Sequence, residues 1–100
     1  MEHQELTASQ LALLDKLVFE MPIFAQFHLK AEDSPGAKLS WAIVNTDIQA
    51  LLNFGFIADI TAVNAAAIEA YKQQTGRDWT LYEATPAGKC MSAPTNRWEN

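Results

Sequence analysis

With a single cysteine, Cys90, the chain cannot close a disulfide on itself and has no thiolate cluster for zinc. A lone cysteine of this kind is expected to be a small buried apolar residue. There are only two histidines, His3 and His28, and no His-x-x-x-His or Glu-His pair at ligand spacing. Ser9, Ser34, Ser40 and Ser92 lack the Gly-x-Ser-x-Gly elbow, and the four glycines form no phosphate-cradling loop. A chain so poor in groups for acid–base or nucleophilic chemistry is expected to be no enzyme, with no catalytic residue, no metal and no cofactor. Long apolar runs are missing as well. Residues 39–58 carry only Asp47 as a charge, but Asn45, Thr46, Gln49, Asn53 and Gly55 make the stretch unlike a membrane span. The start, Met1-Glu2-His3-Gln4-Glu5, has neither the basic head nor the apolar run of a signal peptide. These absences predict a cytoplasmic protein with no membrane contact.

Positive charge is scarce. Seven Lys and Arg stand against twelve Asp and Glu, a formal net charge of −5, and Lys16, Lys30, Lys38, Lys72, Arg77, Lys89 and Arg97 form no run. Phosphate binding draws on clustered cations that release counterions. The balance therefore favours a protein partner, a basic one by charge sign, over DNA.

Apolar residues make up 49% of the 100 residues, enough for one core. The patterning predicts one domain over residues 1–92 and a polar tail over 93–100. Thr7 and Gln10 have the spacing of a capping box, and Leu11, Leu14, Leu17, Val18 and Met21 then share one helical face. Ile23, Phe24, Phe27 and Leu29 suggest a short buried second helix, with His28 at its end. Residues 30–38 read as a loop, on the turn-forming run Glu32-Asp33-Ser34-Pro35-Gly36. Residues 39–44 fit either a strand or the lead into a helix. From Asn45 or Thr46 as a cap, Ile48, Leu51 and Leu52 give a helical stripe that Gly55 stops. Residues 56–61 read as a strand. Asn64 is placed to cap the next helix, with Val63 and Ile68 as a hydrophobic staple, and Gly76 ends it. Residues 79–84 alternate as a half-buried strand, and Thr85-Pro86 opens a short final helix.

Two stretches carry a resemblance. Leu51-Leu52-Asn53-Phe54-Gly55-Phe56-Ile57, followed by Trp79-Thr80-Leu81-Tyr82-Glu83-Ala84-Thr85-Pro86-Ala87-Gly88-Lys89, resembles the winged-helix regulators of the MarR and PadR types. In that family a recognition helix ends in leucines, a glycine and another branched residue. A hairpin follows, and a strand runs into Leu-Thr-x-x-Gly at the next helix, with Ala84 here in place of the leucine. The resemblance implies an α+β, winged-helix-like fold in which helices pack on a small antiparallel sheet. It also implies a DNA-binding transcriptional regulator, as the alternative to a protein-binding adaptor or small inhibitor.

This chain departs from the family in two ways. The segment between the last two strands is long enough for a helix in place of a short wing. The would-be recognition helix also offers no Lys or Arg. On the DNA reading, the helix would offer Thr46, Gln49 and Asn53 to the groove, with Gln49 and Asn53 toward bases, while Lys38, Lys72 and Arg77 would reach phosphates. On the protein-binding reading, the contacts would be Glu32, Asp33, Asp59, Glu69 and Asp78. Trp98 would then pack on a partner chain or on the mate in a homodimer.

Overall fold

The computed structural model describes residues 6–92. The chain is α+β, with helices packed on a three-stranded antiparallel sheet of order β1-β3-β2. The elements are α1 (Ala8–Asp15) running into a π-helical turn (Lys16–Glu20), β1 (Phe24–Phe27), α2 (Pro35–Phe54), β2 (Ile57–Asp59), α3 (Ala65–Thr75), β3 (Trp79–Ala84) and α4 (Pro86–Met91). A helix thus stands between β2 and β3, where the sequence predicts one instead of a short wing.

Local chemistry sets most of the boundaries. Thr7 and Gln10 form the reciprocal capping box at α1. Gly55 and Gly76 end α2 and α3 at φ of 81° and 73°, a left-handed conformation that costs other residues a steric penalty. Thr85 caps α4, with Pro86 in its first turn.

Other expectations are corrected. Residues 23–29 hold no helix. Phe24–Phe27 is an edge strand, paired Phe24↔Tyr82 through Phe27↔Trp79. The spacing of Phe24 and Phe27 imitates a helix, but the strand alternates a buried Gln26 with the two faces of the sheet. The loop after β1 stops at Ser34, whose Oγ accepts the Ala37 amide while Pro35 opens a single helix of 20 residues. Residues 39–44 therefore belong to α2, and Asn45 and Thr46 lie inside it rather than at its start. Asn64 does not cap α3; its side-chain amide donates to Ile60 O, and a 3-10 turn (Ala62–Asn64) leads in. Val63 is 81% exposed and staples nothing. Cys90 is exposed rather than buried.

The main core cluster lies on one face of the sheet, and Leu81, 1% exposed, is buried on the other. The C-terminal half of α2 presses Ile48 and Leu51 against Leu14 of α1, Leu17 of the π-helical turn, and Phe56, Ile57, Tyr82 and Ala84. The opposite face carries Phe27 and Trp79 edge to face at 5.9 Å, and Tyr71 of α3 tilts on Trp79 at 5.2 Å. The N-terminal half of α2 runs on past the core and flanks the edge strand β1.

Candidate functional site

The overhang of α2 creates two concavities on either side of Trp41. They follow from the way β1 is bonded. His28 donates its amide to Asp78 O at 2.9 Å. In an antiparallel pair the bonded residues alternate, so Phe24 and Gln26 also face β3 and the main-chain groups of Ala25 and Phe27 face the open edge. Trp41 shows this directly, since its indole N–H reaches round to Phe27 O at 2.7 Å. The Ala25 amide and carbonyl are left on the edge.

Beside that edge lies a groove of about 380 Å³, with β1 as one wall and Ala37, Ser40, Trp41 and Val44 of α2 as the other. Its walls are almost wholly apolar, and none of the residues lining it is ionisable. Val44 in its wall and Ile23, just before β1, are exposed, and Leu39 and Ile43 are exposed on the far side of α2.

Across Trp41 is a second cavity of about 370 Å³, lined by polar groups from β1, α2 and β3. Gln26 bridges it, accepting from the Tyr82 hydroxyl at 3.3 Å and donating to Asn45 Oδ1 at 3.1 Å. His28 Nε2 shares a 2.7 Å hydrogen bond with Thr80 Oγ1. Burial, with the Asp59 carboxylate as a smaller cause, raises the Tyr82 hydroxyl above its ordinary pKa. Gln49 lines the same cavity. The set, an imidazole, a hydroxyl, a phenol and side-chain amides, can orient water or a polar group. Among the described residues no cluster of His, Cys, Asp or Glu could hold a metal ion, and no helix is long and apolar enough to cross a membrane.

The charged residues singled out in the sequence meet one another. Arg77 clasps Asp33 through two hydrogen bonds, 2.9 and 2.6 Å, and donates a third at 3.1 Å to His28 O. The same guanidinium lies 5.1 Å from the Phe27 ring centre. Lys72 pairs with Asp78 at 3.5 Å, and Lys38 Nζ donates to Ala31 O. Three expected phosphate ligands are thus tied to the β1–α2 loop, to Asp33 and to Asp78. From Lys38, Gln49 and Asn53 lie about 16 and 22 Å further along α2 at 1.5 Å per residue. Thr46 bonds back to Ala42 O. Asp59 accepts from the Thr61 amide and hydroxyl, and Glu69 from Gln73, whereas Glu32 is exposed. Trp98 lies outside the described residues.

The Arg77 side chain, foremost by its hydrogen bonds and then with the Lys30 amide, holds the Asp33 carboxyl far below the ordinary carboxylate range. Asp33 in turn raises Arg77, which stays charged. A carboxyl depressed by folding adds stability above its unfolded pKa of about 3.9, and that stability fades as pH falls through the folded value. The melting temperatures of wild type and Arg77→Met should therefore differ by a constant amount above about pH 5 and converge as pH falls below about 4. Parallel curves down to acid pH would show the clasp to be energetically idle.

Reasoning from sequence alone missed Ala25, Trp41 and Val44. The available signal was a helix apolar on more than one side, with Leu39 and Ile43 one turn apart opposite the stripe of Trp41, Asn45 and Ile48. Comparison with family profiles, with characterised proteins and with solved structures finds no match.

Proposed function

We propose that this is a non-catalytic protein-binding domain, an adaptor in type, whose contact surface is the groove between β1 and α2. The observation that carries the reading is an uncharged apolar groove beside a strand edge whose Ala25 main-chain groups face outward. An unpaired edge is a template for another strand, and a flanking apolar wall gives it side-chain contacts. The cations speak for the same reading. Arg77 and Lys72 are each matched by a carboxylate, and Lys38 stands at the end of α2 remote from Asn53. A duplex approaching Gln49 and Asn53 would find little positive charge to release its counterions.

The test is a display library of extended peptides selected on the wild type and counter-selected on Val44→Glu, beside an anisotropy titration with duplex DNA at low salt. Segments with alternating apolar residues should be enriched, and their binding should drop roughly tenfold or more in Val44→Glu. Salt-sensitive duplex binding weakened by Lys72→Glu or Arg77→Glu, with no peptide enriched, would replace this reading with the DNA regulator.

A further inference from the structure

We propose that the polar cavity across Trp41 binds an uncharged sugar ring, either free or at the end of a glycan. This site lies apart from the protein-binding groove and stands whether or not that groove is used. Its volume of about 370 Å³ falls within the range of small-molecule sites. No Asp, Glu, Lys or Arg is among the described residues that line it. A charged ligand would lose its hydration there without gaining a counter-charge. An apolar ligand would strip water from Asn45 and Gln49 and leave their amides unmatched. The lining therefore selects a neutral molecule rich in hydrogen-bonding groups.

The placing of the polar groups narrows the class. Gln26 and Thr80 are register partners, and alternation puts His28 and Tyr82 on the same face of the sheet. Asn45 and Gln49 of α2 lie across that face. Polar groups from three elements thus surround a bound molecule on several sides. A sugar carries hydroxyls all round its ring, and each both donates and accepts, so it meets an amide, a hydroxyl or an imidazole alike. A flat heterocycle has a fixed order of donors and acceptors and two faces to cover. Here Tyr82 is given over to the core and His28 turns a ring nitrogen to Thr80 Oγ1. That leaves one indole, Trp41, as a wall for the C–H face of a sugar.

These groups are already fixed in the single chain. The bond from the Trp41 indole N–H to Phe27 O holds the ring in place. Gln26 is 7% exposed, and its side-chain amide donates to Asn45 Oδ1. That bond orients the Asn45 amide, whose Nδ2 has no hydrogen-bond partner among the described residues. The Gln49 side chain, one helical turn further on, has none among them either. Residues so spaced stand about 5 to 6 Å apart at Cβ, so both amides can address one pair of neighbouring hydroxyls. Groups ordered before binding cost less to order on binding.

The test is an NMR titration of the isotope-labelled full chain with glucose, galactose, mannose and N-acetylglucosamine, each to about 50 mM. At least one should bind with a Kd of about 1 to 10 mM, usual for a ligand of about twelve non-hydrogen atoms. Saturable shifts are expected at the Trp41 indole N–H and at the Asn45 and Gln49 side-chain amides. Trp79, on the opposite face of the sheet, should not move. Gln49→Met keeps the side-chain length and removes the amide, so it should raise that Kd about fivefold or more. Its circular dichroism spectrum should match the wild type, because Gln49 is exposed. The methyl glycoside of the binding sugar separates the two sources: equal binding identifies a glycan end, and loss of binding a free sugar. The absence of saturable shifts in that range, shifts away from the cavity, or a Kd untouched by Gln49→Met overturns the proposal. So does binding of adenosine or uridine where no sugar binds.

Discussion

Gly88→Ala should destabilise the domain by about 3 kcal/mol, the upper part of the range for overpacking. A Cβ on Gly88 would sit 2.1 Å from Phe56 O and 3.0 Å from Phe56 C. Both are main-chain atoms, so no side chain can swing aside. The backbone there is also pinned from several directions. The Thr85 amide donates to Phe56 O at 3.0 Å, and the Thr85 hydroxyl donates to Gly55 O at 2.6 Å. Relief of the overlap must therefore lift α4 from the Gly55–Phe56 turn and break those bonds. Gly88 has no positive φ, so the requirement is for space and not for conformation. Gly36 supplies the contrast. It lies in the first turn of α2 with nothing within 4 Å of an added Cβ. Gly36→Ala should be neutral or gain up to about 0.5 kcal/mol from helix propensity. Urea denaturation of the two variants measures the difference. Equal midpoints would show that the close approach at Phe56 does not exist in solution.

Leu51→Ala should cost about 3 to 4 kcal/mol, the lost transfer energy of the side chain plus the cavity it leaves. Leu51 is 0% exposed and lies in the cluster that joins α1, α2 and the sheet. Its carbonyl also receives the Phe56 amide at 3.0 Å, so the main chain on both sides of the void is held and can collapse only in part. A domain of this size has a total stability of about 5 to 10 kcal/mol. The variant should therefore melt far below the wild type yet remain folded in the cold. Leu51 faces the core and not the groove, so at low temperature the contact made through β1 should persist. A loss of association in a folded Leu51→Ala protein would mean that the groove depends on the core more closely than the contacts indicate. A loss of under about 1 kcal/mol would mean that Leu51 is not enclosed.

The tertiary pairing of charges explains why the candidate residues looked plausible under two opposed readings. Arg77 and Lys72 were natural phosphate ligands, and Asp33 and Asp78 natural contacts for a basic partner. In the folded chain they are each other's counterions. Arg77 and Asp33 are separated by 44 residues, so no local rule links them. A list of surface charges cannot show which are already neutralised within the chain.

β1 shows a different limit. A strand of four residues at the edge of a sheet gives periodicity little to work on, and its inward residue Gln26 is polar. Gln26 is acceptable there because Tyr82 and Asn45, from two other elements, meet its side-chain amide. The extra apolar residues of α2 blurred the helix in the same way. Leu39 and Ile43 fall on the side opposite Trp41, so residues 39–44 show no single stripe, and Ser34 passed for part of a turn when it is the cap of the whole helix.

The punctuation of this chain was written in residues whose preferences act within a few positions. Thr7 with Gln10, Gly55, Gly76 and Thr85-Pro86 each satisfy or stop a helix end by short-range geometry, and from them the α+β class and most boundaries could be read. Folding settled what depends on distant partners: that β1 is a strand, that Arg77 belongs to Asp33, and that α2 overhangs an edge with Ala25 unpaired. Those outcomes turn on which surfaces are brought together and which are left uncovered, and burial of this kind is a property of the assembled chain rather than of any stretch within it.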